Sequence, residues 1–249
     1  MTSWKMPNNI NREFFVNHLL IPITFLALIF YYFMYLGGDF FFAEKIYALQ
    51  GYEWSLNDHW VTNKLLHKGG KHLSTLAIVV IIALYIFVLA SKSEQRKKWR
   101  SPLLYLILSS LVSVILVSLL KVLTNMDCPW NLNQFGGDRP FIGLFEHRPQ
   151  EMGSGKCFPA GHASAGYAWV GLYFFFKMII PKYRWLGLLC GIMVGLTFGI
   201  SQQLRGAHFI SHDIVTILIC WLIATLLFIF FSIKKYTVKN EKQLKIQHL

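Results

Sequence analysis

Charge is scarce in this chain. Lysine, arginine, aspartate and glutamate make up 14% of its 249 residues, where a typical soluble domain carries about 25%. A water-facing surface has to be covered with polar side chains, so an ordinary soluble domain is excluded. Acidic residues are scarcer still, 12 against 24 basic ones. Internal repeats and low-complexity stretches are absent, which leaves no sign of a repeat array or a biased linker.

What the chain has instead is apolar: 55% of its residues are hydrophobic and 16% aromatic. They fall in six blocks, roughly 17–37, 73–91, 103–121, 163–181, 185–201 and 213–233. Crossing a hydrocarbon core as a helix takes about 20 residues. Each block is bounded by charge, proline or glycine, as at Ser91-Lys92 and Pro181-Lys182. The stretches Leu73 to Ala90 and Ile214 to Ile233 contain no charge at all. The fifth block is the shortest, and its Gly187, Gly191, Gly195 and Gly199 would let a neighbouring helix approach closely. The first block begins too late and runs too long for a cleaved signal peptide, so it is expected to remain as a span. The expected fold is an all-α integral membrane bundle of six transmembrane helices, one domain over residues 1–249.

A net charge of +12 could suggest nucleic acid, so its distribution decides. The N-terminus from Lys5 to Glu13, the loops Lys92–Arg100 and Lys177–Arg184, and the tail from Lys234 to Lys245 together hold 15 of the 24 basic residues and three of the 12 acidic ones. The alternate loops balance to zero. This is the positive-inside pattern of a protein with both termini in the cytoplasm, and nucleic acid drops out as a partner. The basic face is suited to anionic lipid headgroups.

On the opposite side three polar clusters adjoin the apolar blocks, where ionisable residues are costly and usually functional. The first is Lys121 followed by Thr124-Asn125-Met126-Asp127-Cys128-Pro129-Trp130. The second is Phe158-Pro159-Ala160-Gly161-His162-Ala163-Ser164. The third runs from Ser201-Gln202-Gln203-Leu204-Arg205 to His208, Ser211, His212 and Asp213.

These clusters resemble the three signature motifs of the type-2 phosphatidic acid phosphatase superfamily: Lys, six residues, Arg-Pro; then Pro-Ser-Gly-His; then Ser-Arg, five residues, His, three residues, Asp. Here Lys121 is followed after six residues by Cys128-Pro129, the second motif reads Pro159-Ala160-Gly161-His162, and Ser201-Gln202 precedes His208 by the right interval. The resemblance spans about residues 100–233. Three departures stand out: Cys128 and Gln202 replace arginines, and Ala160 replaces serine. The position four after His208 is His212, with Asp213 one residue late.

The resemblance implies that His208 is the nucleophile and His162 the acid, with Lys121 holding non-bridging oxygens beside the backbone N–H groups of Gly161 and His162 at a helix start. Either His212, one helical turn on, or Asp213 orients His208. A guanidinium forks to two phosphate oxygens at once, so Arg205 is the first candidate to replace the missing arginines, with Arg139 and Arg148 as the others. The chemistry suits these residue types. Phosphate esters need cationic clamps, a nucleophile and an acid, and a neutral imidazole can attack phosphorus while a second protonates the departing oxygen. No cofactor is required. His208 and His212 at i and i+4 could share a zinc ion, but no Glu follows the first histidine as in the zinc peptidase motif, and no metal is expected.

The function expected from this resemblance is hydrolysis of a lipid phosphate or diphosphate through a phosphohistidine. Undecaprenyl diphosphate, the 1-phosphate of lipid A and phosphatidylglycerol phosphate are all candidates, as phospholipid or isoprenoid phosphates reached from the bilayer. A lipid phosphotransferase on the same scaffold would use the same residues; a transporter lined by Lys121, Arg205 and the histidines lacks an inverted repeat to support it. The expected location is a bacterial inner membrane with the site facing the periplasm. Oligomeric state is not legible. Cys190 and Cys220 fall within helices and suit apolar packing. Cys128 and Cys157 lie in the outer loop, where the two motifs converge on one phosphate, and are expected to form a disulfide.

Overall fold

The computed structural model describes residues 10–149 and 151–247. Lys5 lies outside them, as do the side chains of Lys235, Lys239, Lys242 and Lys245. Among the described residues the chain is helical throughout, apart from connecting loops and one isolated bridge between Leu132 and Arg139. Seven helical elements organise it. They are α1 (Arg12–Tyr35), α2 (Gly38–Leu49), α3 (Val61–Ala90), α4 (Arg100–Thr124), α5 (161–179), α6 (Arg184–Leu204) and α7 (Ile210–Gln247).

Five stretches are long and apolar enough to cross a membrane: Arg12–Tyr35, Val61–Ala90, Glu94–Asn131, Pro181–Leu204 and Ile210–Lys234. The other expected span, 163–181, forms α5. It is not one continuous α-helix, because its middle tightens to a 3₁₀ turn over Ala168–Gly171. The glycine stripe of α6 packs against this stretch. A Cβ built on Gly191 would lie 2.4 Å from the backbone nitrogen of Val170, and one on Gly195 would lie 2.0 Å from the Tyr167 ring. Gly166 of α5 faces Gly195 in turn, with 2.6 Å from its would-be Cβ to the Gly195 Cα. Small residues at such a seam let two helices gain dispersion contacts where lipid offers no hydrophobic drive.

Two elements exceed the sequence expectation. Helix α3 begins at Val61 rather than near 73, because the polar stretch holding Lys64, His67, Lys68 and Lys71 continues the helix through π-helical turns over Val61–Gly69. Helix α2 is the other, and it lies across one end of the bundle.

That end is closed by aromatic packing among Phe40, Tyr47, Trp54, Phe135 and Phe209. The indole N–H of Trp54 donates to the Phe135 carbonyl at 3.1 Å. Gly206 adopts φ +71°, and its Cα faces the Trp54 ring so closely that a Cβ there would sit 2.4 Å from it; only glycine meets both demands. Asp39 of α2 accepts hydrogen bonds from both the backbone N–H and the hydroxyl of Ser211 at the start of α7, a cap supplied from another helix. Burial pushes the Asp39 carboxyl up to about 6, against the pull of those two donors.

The opposite end is a core of Phe14, Tyr105, Phe174 and Phe228. The ammonium of Lys177 sits over the Phe14 and Phe228 rings at 4.9 and 5.4 Å, where the ring faces attract it. The N-terminal helix, the end of α5 and the lower part of α7 are thereby tied together.

Candidate active site

The first motif is set by the end of α4. Asn125 takes a left-handed conformation, φ +51°, which terminates the helix just past Lys121. Its side-chain oxygen then accepts from the Gly155 N–H at 2.7 Å. The Cys157 N–H donates to the Met126 carbonyl at 3.0 Å, and Cys128 and Cys157 are disulfide-bonded with their Cα atoms 5.2 Å apart. The loop between the first two motifs is therefore folded back on its own ends. The Thr124 hydroxyl donates to the Phe158 carbonyl. A Cβ on Gly161 would meet the Lys121 ammonium at 3.4 Å, which puts that charge at the first residue of α5, beside His162.

The third motif straddles the α6–α7 corner. The ring nitrogens Nδ1 of His208 and His212 are 3.3 Å apart. His212 is fully buried, its ring edge-on to Phe158. Its carbonyl accepts from the Thr216 hydroxyl at 2.8 Å and from the Ala160 N–H at 3.3 Å, so α7, which carries His212, is bonded to the residue before α5. Asp213 turns the other way: it accepts from the Gln203 amide and packs on Gly199, and its second oxygen has no hydrogen-bond partner among the described residues. Of the two candidates to orient His208, the one in contact is His212. Burial holds His208 well below its usual pKa, with Lys121 and the neighbouring histidines adding to the effect. Its imidazole is neutral near pH 7 and has a lone pair to offer.

The Arg205 guanidinium is buried and held by three bonds. Nε donates to the Asn57 carbonyl at 2.8 Å, Nη2 to Asn57 Oδ1 at 3.1 Å, and Nη1 to Gln202 Oε1 at 3.2 Å. Gln202 in turn reaches Nδ1 of His67 at 3.1 Å, and the His67 ring lies on His162 with 4.3 Å between centroids. Nε2 of His162 is 3.3 Å from the Leu66 carbonyl. A carbonyl only accepts, so this nitrogen carries its proton and Nδ1 is left as the exchangeable site.

A single cavity of about 940 Å³ gathers Lys121, Arg139, Gly161, His162, Arg205 and His208, and with them His67, Lys71, Lys156 and Gln202. Its lining carries five lysines and arginines and no carboxylate. Arg148 is not part of that lining. With Arg139 it clamps Asp127, at 2.7 Å each, and it also donates to the Asn125 and Gly153 carbonyls. Among the described residues no group of three or more His, Cys, Asp or Glu gathers to hold a metal ion.

The sequence reading missed His67, Lys71, Asn57 and Asp39. A signal for two of them exists in retrospect, since His67 and Lys71 stand at i and i+4 and share a helix face.

A family model described as the PAP2 superfamily matches residues 102–236. Neither a curated protein nor a solved structure gives a significant match.

Proposed function

The chain belongs to the PAP2 superfamily of phosphatases, whose model spans more than half of it, and on that premise we propose that it hydrolyses a lipid phosphate or diphosphate at a membrane surface. The observation that carries the lipid assignment is the shape of the cavity. From the histidines it continues down the faces of α3 and α4, past Ser74, Ile78, Ser118 and Val114 to Ser110. Lys121 and Ser110 are eleven residues apart on one helix, a rise of about 16 Å, roughly half the thickness of a hydrocarbon core. A phosphate held by Lys121 would leave room below it for an acyl or prenyl chain. A water-soluble phosphate ester would not need that groove.

In this reading His208 attacks phosphorus through Nε2. The bond from phosphorus to the ester oxygen breaks, and that oxygen takes the Nδ1 proton of His162, which enters the step as the imidazolium. Water, deprotonated by His162, then attacks the phosphohistidine; the nitrogen–phosphorus bond breaks, and both histidines return to their starting forms. Lys121 and Arg205 stabilise the charge on the non-bridging oxygens. Helix α5, 161–179, rises about 28–30 Å over its 19 residues, enough for a sixth crossing. Both termini would then share the cytoplasmic side with Lys177, and the positive-inside pattern supports a site on the other face, in a bacterial inner membrane the periplasmic one.

The test is phosphate release by the purified protein in detergent, from long-chain lipid phosphates and diphosphates and from short-chain analogues. Val114→Trp, which fills the groove, should raise KM for the long-chain substrates about tenfold and leave the short-chain ones near wild type. Equal effects on both would remove the groove from the argument, and a wild type that releases no phosphate from any lipid would remove the function.

A further inference from the structure

The arginine of the third motif is replaced by Gln202, and the hydrogen bonds around that glutamine determine what the replacement does. Arg205 Nη1 can only donate, so the Gln202 atom facing it must be the oxygen. Its amide nitrogen is then the atom that faces His67, at 3.1 Å from Nδ1. An amide N–H only donates, so Nδ1 of His67 accepts, and in the neutral ring the proton must reside on Nε2. Nε2 has no hydrogen-bond partner among the described residues, and His67 lines the cavity beside His162 and Arg205. A chain of three side chains, anchored at Asn57 through Arg205, thus fixes one tautomer of a histidine that no motif contains.

We propose that His67 is a substrate-binding residue of this site, its Nε2–H donating to a non-bridging phosphate oxygen, with Gln202 acting as the positioning residue that fixes the tautomer. The inference rests on the phosphatase reading of the same cavity. It explains how the site works without an arginine at position 202: the donor comes instead from α3, whose π-helical first turns bring His67 against His162. The arginine that remains, Arg205, is committed by three of its donors to Asn57 and Gln202. A neutral donor in the cavity that Lys121 and Arg205 also line adds a directed contact to the phosphate without another charge to desolvate.

The experiment uses the full-length protein in detergent with ¹⁵N-labelled histidine. Two variants separate the nitrogens of the ring: Asn at 67 approximates Nδ1 and has no group at Nε2, while Gln at 67 approximates Nε2. The wild-type spectrum should show His67 as the Nε2–H tautomer, with that proton shifting when inorganic vanadate is added. Turnover of lipid phosphate should fall about 100-fold in His67→Asn, the usual scale for losing one directed donor, and recover to within about tenfold of wild type in His67→Gln. An Nδ1–H tautomer, a vanadate-insensitive Nε2–H, or equal losses in the two variants would overturn the assignment. A wild type without lipid phosphatase activity overturns the phosphatase reading instead, and the tautomer and vanadate response, which need no turnover, still decide His67.

Discussion

Nδ1 of His208 faces Nδ1 of His212 at 3.3 Å. Two like nitrogens bond only when one of them holds the proton. If Nε2 of His208 is to attack, it must keep its lone pair, so the proton sits on His208 Nδ1 and His212 is the acceptor. Replacing His212 by Leu removes the acceptor and frees the wrong tautomer, for an expected loss in kcat on the order of 100-fold. His212→Asn, which keeps an oxygen near the same place, should retain within about tenfold of wild-type kcat. Steady-state kinetics on both variants check this; equal activities would detach His212 from the nucleophile.

His208→Ala and His162→Ala should each abolish phosphate release, by about 10³-fold or more, while the proteins still insert and unfold at near-normal temperature. Activity should survive a chelator. Turnover by His208→Ala would remove the proposed nucleophile.

Arg205→Lys should lower kcat/KM about 100-fold. A lysine cannot replace a fork that bonds Asn57 through Nε and Nη2 while bonding Gln202 through Nη1. Near-normal turnover would hand the clamp to Arg139 or Lys156, which line the same cavity.

Asp39 predicts a pH effect on stability. Its carboxyl binds a proton more tightly folded, at about 6, than unfolded, at 3.8, so between these values the folded protein holds more protons and stability falls as pH rises. The loss amounts to at most about 3 kcal/mol. Asp39→Asn does not titrate, so thermal unfolding of the two proteins should draw together in favour of the variant from pH 4 to 6, and their difference should be constant above about 7. A constant difference throughout would refute the buried carboxyl.

The Cys128–Cys157 bond closes a loop with a sequence separation of 29, worth about 3–4 kcal/mol in the chain-entropy account. Non-reducing mass spectrometry should find the two cysteines linked, and reduction should lower the unfolding temperature. Finding both alkylated would also weaken the assignment of this loop to an oxidising compartment.

What the sequence discloses about the site follows a simple physical division. Lys121, His162 and His208 are legible because each sits where a long apolar run ends, and a polar residue there has to be justified. All three fall within residues 102–236, the span that the family model matches. His67 is not legible, because it lies in a stretch with Lys64, Lys68, Lys71 and His72 that has no apolar period to mark it as helix. Asp39 lies in a connecting segment whose path over the bundle is set by tertiary aromatic packing rather than by local pattern. Gln202 is visible as a departure from the motif, but its use depends on Asn57 and His67, 145 and 135 residues away in the chain.

The seam between α5 and α6 has a consequence for traffic. With Gly166 on Gly195, Gly191 on the Val170 backbone and the Tyr167 ring on Gly195, the two helices are held in close contact along this seam. On the proposed lipid reading, such a close seam is a poor place for a tail to pass. The same reading would give entry and departure to the margin between α3 and α4, where Ser74, Ile78, Val114 and Ser118 border the cavity, and the rate at which that margin parts would then set how quickly one molecule leaves and the next arrives.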